Sequence, residues 1–440
     1  MSNKKTATFG YKTPTSSILF ILVVFLSYLS LWSSTVYSRY ANAELYATMQ
    51  VKFDEVTTIE PVLIGQILLV IMFGLIFMII VADLKSILQH KSVIVYFAML
   101  LCCPYLLLKS DDPLNYISSI SNGSIQLGPW TLVGVALFFY AYKPRNWDAF
   151  RRAIKPLTII ILITAFYGLF KYFTFYQEAG IVNRVVALKW LWAPAICLQF
   201  LLVFWISRAN EEKRRIYSSL VFLLVTFQYL LAILTEMRLI LLMTTVSIVI
   251  FFYKTGKIKK GKLLFTLVGG STMVFVLFII SNEGILLPET NVFYNAINNF
   301  LLRFLADTRS SDLIEFFDFI SSNSFLSFSL GLGYSRMSEF TVDSGVLNTF
   351  FMTGVVMFTM AVVLLILPVI KLGKFRMDSE DAAVWSVAVI WILRFFTSST
   401  MAFTTEFLLF IIFAGRCAWI LDNNLRILKE RNRSSNQGVN

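Results

Sequence analysis

Charge is the scarcest commodity in this sequence. Only 15% of its 440 residues are Asp, Glu, Lys or Arg, while 57% are hydrophobic; soluble domains carry about 25% charged residues. That balance excludes a water-soluble fold, because there is too little polar surface to cover so large a core. Histidine is nearly absent: the single one, His90, lies in a short charged loop and reads as a solvated side chain. The four cysteines, Cys102, Cys103, Cys197 and Cys417, all fall inside apolar runs. They show neither a disulfide pairing nor metal-ligand spacing, so they read as packing residues. No internal repeat stands out, and there is no matched pair of broken helices such as secondary transporters carry.

What the sequence does have is a succession of apolar runs of about 17–25 residues, divided by short charged clusters, which is the pattern of transmembrane helices. Barrel strands are shorter and alternate. The expected fold is therefore all-α, a polytopic transmembrane helix bundle of about twelve spans. The spans are placed at 17–37, 62–82, 92–108, 126–142, 156–175, 187–206, 216–235, 238–253, 263–281, 345–370, 382–397 and 401–420. Nine spans thus occupy residues 1–281, a long loop follows at 282–344, three spans fill 345–420, and 421–440 form a tail. The run "SSILFILVVFLSYLSLW" is too long for a cleaved leader and is expected to stay as the first span.

The run from Ile216 to Tyr253 would be about 57 Å long as one helix, nearly twice the thickness of a hydrocarbon core. It must fold back, and "TEMR", with Glu236 and Arg238, is the natural turn. Sidedness follows from Lys and Arg in the short loops. The N-terminus (Lys4, Lys5, Lys12), "DLKSILQHK", "YKPRNWDAFRR", "SRANEEKRR", "YKTGKIKKGK", "KLGKFRMDSED" and "LRILKERNR" alternate with acid-rich or neutral loops. Both termini are therefore expected in the cytoplasm, and "TEMR" outside. The net charge of +12 is then orientation charge, with attraction to anionic membrane lipids, and requires no nucleic-acid partner.

The loop 282–344 is long enough to be functional. Its stretch "NNFLLRFLADTRSSDLIEFFDFISSN" spaces Phe300, Phe304, Leu313, Phe316, Phe317 and Ile320 as an amphipathic helix on the outer leaflet would. Cations expected on the outer side are mostly arginine: Arg184, Arg238, Arg303, Arg309, Arg336 and Arg394. Arginine is always charged and grips phosphate or carboxylate with two parallel hydrogen bonds. Set against a face that otherwise excludes positive charge, these side chains suggest an anion site. Arg238 and Arg394 are the sharpest candidates, each being embedded in apolar sequence. Any one arginine can instead snorkel to headgroups or pair with a nearby acid. Glu236 and Arg238 are two residues apart and would face different sides of a continuing helix.

The stretch "TVDSGVLNTFFMTGVVMFTM" leads into the tenth span. Asp343 or Ser344 can serve as a simple helix cap. Alternatively, Asp343 lies over a reaction centre and accepts a proton from a sugar hydroxyl, its pKa set by arginines and dehydration. Gly345 and Gly354 allow a neighbouring helix or a ligand to come close.

Four local patterns occur here in the same order as in the O-antigen polymerases (Wzy-type) and the related O-antigen ligases. They are "TEMRLILLMTTVSI", "TRSSDLIEFFDFI", "LGLGY" and "VDSGVLNTFFMTGVV". The resemblance covers about residues 180–400 and implies a GT-C-like glycosyltransferase of the bacterial inner membrane. It implies oligosaccharides carried on undecaprenyl pyrophosphate as substrates, a chain-length regulator as a partner, and no nucleotide sugar or divalent metal. Arg184, Arg238, Arg309 and Arg394 would hold the pyrophosphate or glycan, with Asp343 as base and Glu236 second. The ligases carry a histidine where this sequence has Asp343, which favours a polymerase. Two rivals stay open. A lipid-linked oligosaccharide flippase should carry charges deep in several helices. A non-enzymatic subunit has no need for Arg238 and Arg394 to converge.

Overall fold

Apolar segments cut off from water must satisfy their backbone N–H and C=O groups internally, and a helix does so within one segment. Helices are the only regular elements in the computed structural model among the residues it describes: 15–39, 43–44, 63–88, 93–95, 127–179, 184–212, 215–235, 237–255, 318–321, 325–331, 345–397 and 405–437. The first is α1 (Thr15–Ser34), which runs into a π-helical turn at Thr35–Arg39. There follow α2 (Leu63–Leu88), α3 (Leu127–Tyr142), α4 (Pro144–Ala179), α5 (Arg184–Glu212), α6 (Arg215–Leu234) and α7 (Arg238–Thr255). The short α8 (Phe325–Leu330) precedes α9 (Gly345–Ala361), a π-helical turn at Val362–Ile366, α10 (Leu367–Leu372), α11 (Ser379–Thr397) and α12 (Thr405–Gln437).

Among the described residues, five segments are long and apolar enough to cross a membrane: Ser17–Tyr37, Pro144–Ala179, Arg184–Glu212, Ile216–Leu234 and Thr353–Leu372. The outer surface of α4 shows the lipid side directly. Ile159, Ile163, Phe166 and Phe170 recur at helical spacing, and each is more than half exposed, the reverse of a water-facing stripe. This is a membrane protein. Of the expected spans, 263–281 lies outside the described residues, as does 92–108 apart from 93–95; of the expected loop helix, only 318–321 is described.

The centre of the molecule is α5. Its residues are buried almost without interruption from Val186 to Ser207, as expected of a helix that is apolar on every side. It packs against α4, α6, α7 and α11. Gly168 sets the α4–α5 distance, since a Cβ there would lie 2.7 Å from the Trp190 carbonyl oxygen. Polar links cross these contacts at intervals. The Trp205 indole N–H donates to Thr158 Oγ1 at 3.0 Å, and Gln228 Nε2 donates to the Ala195 carbonyl at 2.7 Å. The Ile216–Tyr253 run does fold back. Met237 N donates to the Ala232 carbonyl at 2.9 Å in the turn, and Tyr229 Oη pairs with Thr245 Oγ1 at 2.9 Å between α6 and α7.

Two features depart from the sequence reading. The stretch "YKPRNWDAFRR", expected as a loop, forms the start of α4, with Pro144 as the first helical residue. Its Trp147 and Phe150 are buried, so the helix is extended by packing rather than ended by charge. The other is a break in α9. Gly354 has φ 68° and ψ 176°, interrupting the helix in mid-course. No matched pair of broken helices was expected, and one break is seen among the described residues. The cause is α8: a Cβ at Gly354 would meet Gly331 N at 2.4 Å, Ser329 O at 2.5 Å and Leu330 N at 2.6 Å. Phe319, Phe350 and Phe351 close around this junction, with Phe328 beside them.

At the end of the bundle rich in Lys and Arg, here called the basic end, α4, α11 and α12 are tied by charge. Glu380 accepts the Trp147 indole N–H at 2.7 Å and an ion pair from Arg151 at 3.0 Å. Arg416 lies over the Trp147 and Trp419 rings, 5.1 Å and 4.0 Å from their centroids. Burial, with Asp378 and Glu380 nearby, pushes the Asp381 carboxyl up to about 7 against the opposing pull of Arg416. A carboxyl raised in the folded state adds stability at low pH that is lost as pH climbs through about 7. Wild-type protein in detergent should therefore melt lower at pH 8 than at pH 6, and Asp381→Asn should flatten that slope. Parallel slopes in the two proteins would show that another group titrates.

Candidate anion site

Arg394 is 2% exposed, three residues before the end of α11. Its guanidinium carbon lies 5.3 Å from the centroid of the Trp391 ring, so one face of the cation is covered by an aromatic surface. Its depth can be read from two independent registers. On the α5 side, Ser207 and Ser379 hydroxyls are 3.0 Å apart, and Phe200 stacks on Trp391 with centroids 4.8 Å apart. Arg394 therefore lies level with α5 residues between about 192, counted from Ser207, and about 197, counted from Phe200. On the α7 side, Lys254 lies over Trp385, 4.8 Å from its centroid. Counting outward along α7 and α11 brings Arg394 level with Thr245, which pairs with Tyr229 of α6.

The sequence reading places Arg394 near the outer end of its helix, and it is near that end. Counted from the Ser207–Ser379 contact, that end comes level with about residue 189 of α5. It is burial, at 2% exposure, that marks Arg394 as an interior cation, and an ionisable group so enclosed is usually functional.

The other expected residues stand at different heights. Arg238 is the first residue of α7, seven residues beyond Thr245 and so about 10 Å farther from the basic end. The α7 and α11 helices are direct neighbours. Arg184, half-buried, begins α5. It is farther from the basic end than the part of α5 that faces Arg394. Glu236, Arg309 and Asp343 lie outside the described residues; of Arg238, only the backbone is described.

Near Arg184 the structure adds an ion pair that the sequence reading missed. Lys189 is buried and donates to Glu44 at 2.5 Å, and Glu44 also accepts the Trp190 indole N–H at 3.0 Å. The pair lies on the Arg184 side of α5 and brings its own counter-charge, so it does not add to the anion site. Also missed were Gln199 and Gln228, both buried in mid-bundle. Their signal was present: each is a lone amide in an apolar run, "AICLQFLLVF" and "LVTFQYLLAI".

The buried Arg394 guanidinium, with one face covered by Trp391, can hold an oxyanion. The chain matches no family model, and no curated protein is significantly similar to it.

Proposed function

We propose that this protein is a polysaccharide polymerase of the bacterial inner membrane, with a GT-C-like bundle of about twelve spans and both termini in the cytoplasm. It extends O-antigen or a related surface polysaccharide at the periplasmic face, using repeat units carried on undecaprenyl pyrophosphate. The observation that carries this reading is Arg394: buried, held over Trp391, and on a helix that packs against α7, which Arg238 begins. A lipid pyrophosphate is the ligand that suits a guanidinium pair reached from a bilayer. The basic loops on one side of the spans support the orientation.

In the reaction, a hydroxyl oxygen of the incoming repeat unit attacks the anomeric carbon of the growing chain. The carbon–oxygen bond to pyrophosphate breaks, and the electron pair leaves on the phosphate oxygen. The hydroxyl proton passes to a base, for which Asp343 is proposed, with Glu236 second. Arg238 and Arg394 stabilise the departing charge without reorganising. Arg309 and Arg184 are proposed to meet glycan or pyrophosphate farther out. A chain-length regulator is a proposed partner.

The flippase reading gains from two observations: a charge buried inside the bundle and a broken helix at Gly354. Deleting the gene separates the two. Loss of the polymerase leaves lipid A–core carrying a single repeat unit, whereas loss of a flippase removes even that unit. A full ladder from the deletion strain would refute both.

A further inference from the structure

Three polar groups lie in one layer of the bundle. Gln199 of α5 is 2% exposed, and neither its amide nitrogen nor its amide oxygen has a hydrogen-bond partner among the described residues. The Trp391 indole N–H of α11 is buried and likewise without an acceptor. The Trp391 ring stacks on Phe200, the residue after Gln199, and supports the Arg394 guanidinium. Some polar atoms nearby are satisfied by the fold, while Gln228 Oε1 and Thr226 Oγ1 on α6 share the lack of a partner among the described residues. Gln228 Nε2 donates to Ala195, while Thr244 and Ser247 hydroxyls donate within α7 to the carbonyls of Ile240 and Thr244, each at 2.7 Å. Orphaned donors in a low-dielectric interior are costly, and native structures rarely keep them without use.

We propose that Gln199 and Trp391 are the neutral donors of the Arg394 site, turning their N–H groups onto the oxygens of a bound lipid pyrophosphate. This rests on the polymerase reading and names the other half of its phosphate cradle. The chemistry is complementary. Arginine supplies charge. An indole can only donate, and a primary amide supplies two further N–H groups. Neutral donors of this kind bind a phosphate without adding the repulsion that more buried cations would bring. Gln199 can present its nitrogen whichever way the amide is turned, because both ends are unsatisfied.

A purely structural amide and a ligand-binding one differ in what leucine does at position 199. Leucine removes two unsatisfied polar atoms from an apolar interior, so the unliganded Gln199→Leu protein should melt at or above the wild-type temperature. Binding is read from the thermal shift of purified protein with undecaprenyl pyrophosphate, undecaprenol or inorganic pyrophosphate. Wild type is expected to respond to the first and not to undecaprenol. A response to inorganic pyrophosphate as strong as to the lipid would overturn the lipid assignment. Gln199→Leu and Trp391→Phe, which keeps the ring on Phe200, should each weaken the response to undecaprenyl pyrophosphate about tenfold. If both variants bind it as wild type does while Arg394→Ala does not, this inference falls and the polymerase reading stands. If wild type binds neither lipid, the polymerase reading falls and takes this one with it. A lowered melting temperature in Gln199→Leu with unchanged affinity would assign the amide to the scaffold.

Discussion

Arg394→Ala is expected to cut chain extension at least about a hundredfold while the protein stays in the membrane at normal abundance. The size follows from removing a preorganised charge beside a leaving group, which typically lowers a rate by a factor of about 10²–10³. Water is excluded where Arg394 lies, so no solvent can stand in for it. Arg394→Lys is the more searching variant. It keeps the charge and loses the planar fork, and a lysine cannot grip two oxygens of one phosphate in parallel. Lysine should therefore recover only a small part of the activity. Full activity in the lysine variant would mean that bulk positive charge suffices. The readout is the surface-polysaccharide ladder on a gel, with membrane abundance measured alongside. Arg238→Ala should act in the same direction. An unaltered ladder in both alanine variants would remove the anion site.

Gly354→Ala is expected to destabilise the protein by about 3 kcal/mol or more and to lower its abundance in the membrane. Two separate costs coincide. The backbone at φ 68°, ψ 176° lies in a region that only glycine enters without strain. The added methyl would also run into backbone atoms of Ser329, Leu330 and Gly331, at 2.4–2.6 Å, which cannot swing aside as a side chain can. The damage should be local at first: α8 would lift from α9, exposing the Phe319–Phe350–Phe351 cluster. Hydrogen exchange over 318–331 and 345–361 should rise before the rest of the bundle loosens. Gly74→Ala is the control, since a Cβ there meets nothing within 4 Å and alanine is the better helix former. Equal stability in the two variants would show that the break in α9 is not held by α8.

The helices were legible because lipid leaves the backbone few choices, and runs such as 187–206 are apolar but for Lys189 and Gln199. The turn at 235–237 was legible for a related reason: a run too long for one crossing has to reverse, and its charges mark where. Burial was not legible. Arg394 lies near the end of its helix in the sequence, and only the packing around Trp391 shows that its side chain is enclosed. The break at Gly354 could not be read either. A glycine in an apolar run is an ordinary small residue until another segment, here α8, is laid against it. Gln199 and Trp391 were passed over because each fits a buried helix by size, and their missing partners become visible only in three dimensions.

The most direct test uses purified protein in lipid nanodiscs, supplied with the source strain's undecaprenyl-pyrophosphate-linked repeat unit and no nucleotide sugar. The expected result is a ladder of chains longer than one unit, with undecaprenyl pyrophosphate released for each linkage formed and no ladder from Arg394→Ala. A wild-type preparation that binds the lipid but never joins two units, or an Arg394→Ala protein that joins them at the wild-type rate, would contradict a buried arginine site built to take charge from a lipid pyrophosphate.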